Sequence, residues 1–446
     1  MKVTFMGAGS SAFVKNVFGD CMLTDSLHDM EIALYDIDGT RLDESFELMN
    51  YLNHNINEDR ATIKKYLGVE QRKDALRGAS FVVNAIQVGR YDPCTIIDFE
   101  IPKKYGLRQT VADTLGIGGI MRGLRTIPVL DDFAHDVEEV CPDAWFLNYS
   151  NPMAILTGYM QRFTGMKTIG LCHSVQVCSS RLLEALGIKV NGFKDYIAGI
   201  NHMAWLLKIT DLDGNDLYPL IREKATETLE RHLKNGGWHN DLVRYEYIRR
   251  FGYYCTESSP HNAEYNNLFI KDAYPEIIKK YHIPIDQYLE TCRFLIDRWD
   301  KQKAELFNGG NVTHEKSNEY ACHIIDSIYT NKPYEIGGNV INNGCITNLP
   351  HNACVEVPCL VNGAGIHPTH VGDLPEQLAA MNRTNINAQL LTIQAAVSKK
   401  REDVYMAAML DPHTSSELSI DDIVDMCDEL IDAHQEAGYM TQFGSK

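Results

Sequence analysis

A thiol and two imidazoles lie at positions where predicted strands end. Cys172 and His173 follow the apolar run 167–171, which predicts a buried strand leading into a helix. Further along the chain, a second short strand is expected to stop at Asn201 and His202. A thiolate and a neutral imidazole are good ligands for a metal ion. The alternative is a buried cysteine with two hydrogen-bonded histidines, and the spacing leaves it open because no close-set pair such as Cys-x-x-Cys is present.

The N-terminal segment has the pattern of a dinucleotide-binding unit. A short apolar strand leads into the turn Gly7-Ala8-Gly9-Ser10-Ser11-Ala12, and a helix is predicted over 13–23. The first glycine permits a tight turn, the second lets the backbone approach a pyrophosphate, and the helix N-terminus attracts that anion. A second strand ends at Asp36, whose carboxylate would bind the ribose hydroxyls and disfavours a 2′-phosphate. The sequence therefore predicts NAD, held by Gly7, Gly9, Ser10 and Asp36, against the alternative of a structural glycine turn.

Other polar residues follow the next predicted strands. Asn84 and Ala85 end one strand and Asn148 ends another, so all three are candidates to line the cofactor. Asn151 is a candidate to bind substrate hydroxyls, although an asparagine before proline is commonly a turn residue. Asp113 lies in a glycine-rich stretch, predicted as a loop over 91–119, where a catalytic role and a turn cap are both open.

The order of predicted elements indicates the fold class. Strands and helices alternate up to residue 196, which predicts an α/β fold with a Rossmann-type doubly wound parallel sheet like that of lactate and malate dehydrogenases. From there the alternation stops, so we predict an NAD-binding domain over 1–196 and an α+β domain over 197–446. Within the second domain, the polar segment 256–265 has the composition of a solvated loop.

Composition narrows the classes of partner. The 446 residues carry 42 Lys and Arg against 60 Asp and Glu, a net charge of −18, which argues against nucleic acid and anionic membranes as partners. The chain enters its glycine turn before an apolar signal segment could form, and no apolar run is long enough to span a membrane. Twelve cysteines without regular spacing suggest reduced thiols, so a cytoplasmic location is predicted.

Taken together, these motifs resemble the NAD- and metal-dependent glycosidases of glycoside hydrolase family 4 over nearly the whole chain. Cys-His-Ser-Val at 172–175 resembles the family's α-galactosidases that act on melibiose, whereas phospho-sugar members carry Asp or Asn after the cysteine. The other segments that carry the resemblance are Gly7-Ala8-Gly9-Ser10, Tyr35-Asp36-Ile37-Asp38, Ala112-Asp113-Thr114, Asn148-Tyr149-Ser150-Asn151-Pro152, Gly199-Ile200-Asn201-His202-Met203-Ala204, Cys354-Val355-Glu356-Val357 and Asp411-Pro412-His413-Thr414.

The resemblance implies hydrolysis of α-galactosides through transient oxidation at C3, loss of the C2 proton, elimination and addition of water. NAD would return its hydride at the end, so the usual carboxylate pair is not required. The metal implied is Mn²⁺, although a thiolate and an imidazole alone would suggest a softer ion such as zinc. A homodimer or homotetramer is also implied, with the α+β domain over 197–446 serving substrate, metal and oligomerisation. The implied roles are metal binding for Cys172 and His202, C2 deprotonation by Tyr265 assisted by Asp113, protonation of the leaving oxygen by His173, and substrate binding by Asn151 and Asn201.

Other activities remain open at this point. Within the same family, the substrate could be an α-glucoside or an α-galacturonide. A net NAD-dependent 2-hydroxy acid dehydrogenase would share the nucleotide-binding half but would consume one NAD per substrate. A non-enzymatic NAD-sensing protein would bind NAD and cleave no glycoside.

Overall fold

Twelve strands form a single mixed sheet in the computed structural model, which describes residues 1–307, 312–317 and 319–444. The strands are β1 (Lys2–Met6), β2 (Glu31–Asp36), β3 (Thr62–Leu67), β4 (Phe81–Asn84), β5 (Trp145–Asn148), β6 (Lys167–Gly170), β7 (Phe193–Ile200), β8 (Met203–Asp211), β9 (Tyr254–Cys255), β10 (Tyr334–Ile341), β11 (Cys354–Asn362) and β12 (Gly365–Pro368).

Helices cover the sheet and fill the connections between strands. They are α1 (Ser11–Met22), α2 (Gly39–Asn57), α3 (Arg72–Leu76), α4 (Ile96–Lys104), α5 (Gly116–Val140), α6 (Met153–Phe163), α7 (His173–Ala185), α8 (Tyr218–Asn235), α9 (Leu242–Phe251), α10 (Ser259–Glu264), α11 (Glu276–Lys280), α12 (Gln287–Phe307), α13 (Tyr320–Thr330), α14 (Glu376–Ser398), α15 (Arg401–Met409), α16 (Thr414–Glu417) and α17 (Ile420–Glu436). None of the helices in the described ranges combines the length and apolar character needed to cross a bilayer.

The first six strands are parallel and lie in the order β3-β2-β1-β4-β5-β6. This is the Rossmann order: β2 and β3 lie on one side of β1, and β4, β5 and β6 lie on the other. The order of the strands therefore reverses between β1 and β4. The central strands β1 and β4 are almost entirely buried because helices cover both faces of a parallel sheet. The predicted fold class is confirmed.

The sheet continues beyond β6 with antiparallel strands from the second half of the chain. β10 pairs with β6 through Asn339 and Gly170, and β11, β7, β8 and β9 follow in that order. The predicted division after residue 196 falls inside β7, so the described sheet crosses it and the two-domain boundary stays a prediction. The loop predicted over 91–119 is wrong in part, because α4 lies within it and α5 begins at Gly116.

Candidate functional site

The glycine-rich turn lies where β1 ends and α1 begins. Gly7 has φ +88°, a left-handed conformation that glycine adopts without strain. The Asp36 carboxylate, at the end of β2, accepts hydrogen bonds from the backbone N–H of Gly9 at 2.6 Å and of Asp38 at 2.8 Å. No side chain of the described residues caps α1 after Ser10, so its first N–H groups are available to an anion.

The ends of β4 and β5 lie beside this turn. A Cβ atom on Gly7 would lie 3.0 Å from the backbone carbonyl of Ala85, so this approach requires glycine. Asn84 Nδ2 donates to Asn148 Oδ1 at 2.9 Å, and both side chains are fully buried. Asn84 and Asn148 therefore connect the two strands, while Ala85 lines an adjacent cavity.

Three potential metal ligands converge next to the end of β6. One ligand atom each from Cys172, His202 and Glu257 lies within 4.8 Å of the other two. Cys172 precedes α7, and His202 occupies the two-residue turn between β7 and β8 with φ +62°. The sequence pointed to the first two residues, and Glu257 adds a carboxylate oxygen that it did not single out. A sulfur, an imidazole nitrogen and a carboxylate oxygen together can hold a divalent cation.

The electrostatics of this cluster favour positive charge. Burial lowers the pKa of His202, but the Cys172 sulfur and the Glu257 carboxylate outweigh it and raise that pKa to about 10. Burial raises the pKa of Glu257, but the His261 and His202 imidazoles outweigh it and lower that pKa to about 2. The Glu257 carboxylate and the Cys172 sulfur thus favour positive charge at His202, and a metal ion would supply positive charge at the same place.

Tyr265 lies directly against this cluster. Its hydroxyl is 2.9 Å from His202 Nδ1 and its side chain is buried. Burial, followed by the charges of Asp113 and Glu264, raises the pKa of Tyr265 well above its ordinary value. The expectation that 256–265 is a solvated loop is wrong, because the segment forms α10 and its polar groups are largely hydrogen-bonded inside the protein.

Asp113 is buried beside an imidazole and a guanidinium. Its Oδ1 lies 3.5 Å from His261 Nε2 and its Oδ2 lies 3.8 Å from Arg122 Nη1. Burial acts to raise the pKa of Asp113, but the hydrogen bond and charge of His261, with Arg122, hold it well below its usual range. The Glu264 carboxylate accepts the backbone N–H groups of 110–112 at 2.7 to 3.2 Å. Glu264 therefore fixes the loop that carries Asp113.

A cavity of about 290 Å³ opens at this edge of the sheet. Five of the predicted site residues line it: Ala85, Asp113, Asn151, Cys172 and His173. Its volume is close to the lower end of the range for small-ligand sites. The cavity therefore brings together residues predicted for cofactor, substrate, metal and catalysis.

Two buried polar atoms that border the cavity, Asn151 Oδ1 and Arg122 Nε, lack a hydrogen-bond partner among the described residues. Asn201, buried in the turn before His202, does not line the cavity, and its amide interacts with the buried Glu356 carboxylate. An unpaired buried polar atom costs about 1 to 3 kcal/mol, so such atoms in a binding site are suited to pair with a ligand. Asn151 and Asn201 were selected from the sequence for substrate binding, whereas Arg122 was not.

His173 begins α7 and has a buried carboxylate as its partner. Its Nε2 lies 2.8 Å from Glu319 Oε2, and its ring lies against Tyr149 with centroids 5.7 Å apart. Sequence reasoning did not select Glu319, and no local motif marks it. By contrast, Glu257 and His261 lie in the polar segment 256–265, whose composition predicts a solvated loop and not a buried cluster.

Comparison with known proteins identifies the family. The family model described as "Family 4 glycosyl hydrolase" matches residues 2–188, and "Family 4 glycosyl hydrolase C-terminal domain" matches residues 197–414. The chain is 57% identical over 433 residues to an alpha-galactosidase of Bacillus subtilis (97% of this chain, 98% of the relative). It is 32% identical over 455 residues to an alpha-galactosidase of Rhizobium meliloti (99% and 89%).

A solved structure has the same fold. A 6-phospho-alpha-glucosidase from gut microorganisms, in complex with NAD and Mn²⁺, gives a TM-score of 0.77 at 18% identity and covers 100% of this chain and 99% of its own. Two family models that together span most of the sequence, and relatives that match it over nearly its full length, agree with the motifs described above. The chain belongs to glycosyl hydrolase family 4.

Proposed function

We propose that the protein is an NAD- and Mn²⁺-dependent α-galactosidase that hydrolyses terminal α-galactosides such as melibiose. The observation that carries the proposal is the convergence of Cys172, His202 and Glu257 with the Tyr265 hydroxyl beside a cavity at the C-terminal edge of the parallel strands. The B. subtilis relative, named an alpha-galactosidase and 57% identical, supports the substrate class.

The glycine turn fits a dinucleotide. The uncapped N-terminus of α1 suits a pyrophosphate, and the half-buried Asp36 carboxylate lies where ribose hydroxyls would bind. We propose contacts from Gly7, Gly9, Ser10 and Asp36, together with Ala85. Asn84 and Asn148, whose side chains bind each other, would shape the strand ends that face the cofactor.

The donor set also fits a divalent cation. A site limited to Cys172 and His202 would be soft and loosely held, but Glu257 adds a hard oxygen ligand within reach of both. This third group makes the set more compatible with Mn²⁺ than the two residues selected from the sequence. We propose that Cys172 and His202 hold the metal and that Glu257 ligates it directly or through water.

When bound, NAD would accept a hydride from C3 of the galactose and return it, and the metal would acidify the C2 hydrogen of the resulting ketone. We propose that Tyr265, whose hydroxyl lies 2.9 Å from His202 Nδ1, takes that C2 proton. The high pKa of Tyr265 makes its phenolate a strong base, and positive charge at the neighbouring metal site would oppose the rise. The negative charge of Asp113 raises the pKa of Tyr265, against the effect of the metal.

His173 is the proposed acid for the leaving group. It lines the cavity on the side of α7 and can donate a proton to the departing glycosidic oxygen. Asn151 Oδ1, which lacks a partner within the described chain, would bind a sugar hydroxyl, and we propose the same role for Asn201, the neighbour of His202. We further propose that residues 1–196 bind NAD and that 197–446 complete the substrate and metal site. The family models that match 2–188 and 197–414 support this division.

We also propose a homodimer or homotetramer in the cytoplasm. Helix α12 exposes three large apolar side chains in succession, Phe294, Leu295 and Ile296, and a second copy would cover them. A reducing compartment suits a site that needs a free thiolate at Cys172. Light scattering tests the assembly: Phe294→Asp combined with Leu295→Asp should give smaller particles, whereas Leu410→Asp, at another exposed position, should not. An unchanged particle mass in the double variant would contradict this interface.

Activity assays separate the proposed function from its alternatives. Hydrolysis of p-nitrophenyl α-galactoside should require NAD and Mn²⁺, disappear after dialysis against a chelator and return with Mn²⁺. Each NAD should support many turnovers, whereas a dehydrogenase would convert one NAD per substrate. A panel of α-glucoside and α-galacturonide substrates distinguishes the related specificities. Full activity in metal-free enzyme, or stoichiometric NADH formation, would refute the proposal.

A further inference from the structure

The segment before α13 brings a buried carboxylate to His173. Both oxygens of Glu319 lie within hydrogen-bond distance of His173 Nε2, at 2.9 Å for Oε1 and 2.8 Å for Oε2. The Glu319 side chain is 7% exposed and that of His173 is 51% exposed, so the carboxylate is held inside the protein while the imidazole borders the cavity. We propose that Glu319 is a positioning residue that fixes the orientation and tautomer of His173 for protonation of the leaving group.

This inference rests on the acid role proposed for His173. A carboxylate accepts hydrogen bonds, so the contact places a proton on Nε2 of His173 and leaves Nδ1 as the nitrogen for the substrate. The same division of labour holds in Ser-His-Asp triads, where a carboxylate orients an imidazole whose other nitrogen transfers a proton. Here His173 donates as an imidazolium, which carries a proton on each ring nitrogen. The Nδ1 proton passes to the glycosidic oxygen as the C1–O bond breaks, and a neutral imidazole whose Nε2 proton stays hydrogen-bonded to Glu319 is left. The electron pair of that bond stays on the oxygen, and Nδ1 keeps the pair it shared with the proton.

Aromatic contacts restrict the imidazole further. The Tyr149 ring lies 5.7 Å from the His173 ring at an interplanar angle of 33°, and the Phe13 ring lies 6.0 Å away at 78°. These rings limit tilting of the imidazole, but neither can choose between its two nitrogens. The hydrogen bond to Glu319 makes that choice.

A second buried carboxylate holds the segment that carries Glu319. Asp20 of α1 accepts hydrogen bonds from His314 Nε2 at 2.7 Å, from Ser317 N and Oγ at 2.6 Å each, and from Glu319 N at 3.3 Å. Asp20 is fully buried, so these donors replace the water that its charge would otherwise require. The backbone of Glu319 is therefore anchored to α1, the helix that follows the glycine turn.

The test compares two substrates that differ in their need for an acid. A 2,4-dinitrophenyl leaving group departs without protonation, whereas methanol departs from methyl α-galactoside only with it. A positioned general acid contributes about 10² to 10⁴ in rate. Glu319→Ala should therefore lower kcat for methyl α-galactoside roughly 10-fold or more beyond any loss on the dinitrophenyl substrate. Glu319→Gln retains an acceptor oxygen and the shape of the side chain, so its extra loss of kcat on methyl α-galactoside should be smaller than that of Glu319→Ala but still present. This variant therefore tests the role even if Glu319→Ala does not fold.

Glu246→Ala is the matched control, because it removes a buried carboxylate on α9 that does not line the cavity. It should change kcat for both substrates by the same factor. The double variant His173→Ala with Glu319→Ala should show no greater leaving-group dependence than His173→Ala alone.

His173→Ala separates the two proposals. If His173→Ala has no leaving-group dependence, the acid role and the inference both fail. If kcat of His173→Ala depends on the leaving group but both Glu319 variants lose activity equally on the two substrates, the positioning role alone is overturned.

Discussion

Replacing Glu257 with glutamine should weaken Mn²⁺ binding while leaving the fold intact. The carboxylate oxygen lies within 4.8 Å of the ligand atoms of Cys172 and His202, so one ion can be shared by all three residues. Despite its burial, the pKa of Glu257 is lowered to about 2 by the neighbouring imidazoles, so the side chain is an anion at neutral pH. Glutamine has nearly the same volume, creates no cavity and removes only this charge and its affinity for the ion.

The expected loss in Mn²⁺ affinity can be scaled from the cost of changing other groups at metal sites. Glu257 is one of three protein groups in the set, and changing a supporting group at a metal site typically costs about 10- to 100-fold in affinity. We therefore expect the Kd for Mn²⁺ to rise about 10- to 100-fold, or about 1.4 to 2.7 kcal/mol. Cys172→Ser and His202→Ala should cost at least as much.

Mn²⁺ binding can be measured directly in the absence of substrate. Free aqueous Mn²⁺ gives a strong electron paramagnetic resonance signal that weakens when the ion is bound, so a titration yields Kd independently of activity. Glu246→Gln provides the matched control, because Glu246 is a buried carboxylate that is not part of the donor set. An unchanged Kd in Glu257→Gln, with loss of binding in Cys172→Ser and His202→Ala, would refute a third protein donor.

Three further predictions concern the base, the cofactor and pH. Tyr265→Phe removes the hydroxyl that contacts His202 Nδ1 and should lower kcat about 10²- to 10⁴-fold, whereas a loss below 10-fold in steady-state assays would exclude a catalytic base. Asp36→Asn weakens the acceptor that holds Gly9 N–H and would bind the ribose, so the Kd for NAD by calorimetry should rise about 10-fold, and an unchanged Kd would contradict its role. Burial raises the pKa of Glu356 from 4.5 to about 7, so its contribution to stability is present below pH 4.5 and is lost, by about 3 kcal/mol, as pH rises to 7. Chemical unfolding of metal-free Glu356→Gln should lack this dependence, and a pH profile identical to that of the unaltered protein would contradict it.

The first half of the fold is predictable because its signals are local. The turn from Gly7 to Ser10 and the acid at Asp36 follow one another within a single βαβ unit, and apolar runs mark the buried central strands. Strand β3 carries no such signal, because it lies at the edge of the sheet and its residues are mostly polar and exposed. Helix α4 lies in a stretch interpreted as loop because of the neighbouring glycines, although its own residues include a buried apolar face.

The site was predictable only where a residue type at a strand end carried the signal. Cys172 and His202 each follow a predicted strand, which is why they could be selected. In the structure β10 and β11 lie between β6 and β7, and β7 runs antiparallel to β6, so pairing within the second half of the chain is needed to bring the two residues together. Glu257, His261 and Glu319 reach the same place through long-range packing, and nothing near them in sequence records which carboxylate or imidazole they contact. Their roles depend on burial and on partners distant in the chain, which a single sequence does not reveal.

The fate of the hydrogen at C2 of the sugar tests the central claim most directly. If Tyr265 removes the C2 proton after transient oxidation at C3, hydrolysis of an α-galactoside in D₂O with NAD and Mn²⁺ should give galactose that carries solvent deuterium at C2, visible by NMR. A product that keeps its original C2 hydrogen throughout complete turnover would contradict the proposed chemistry.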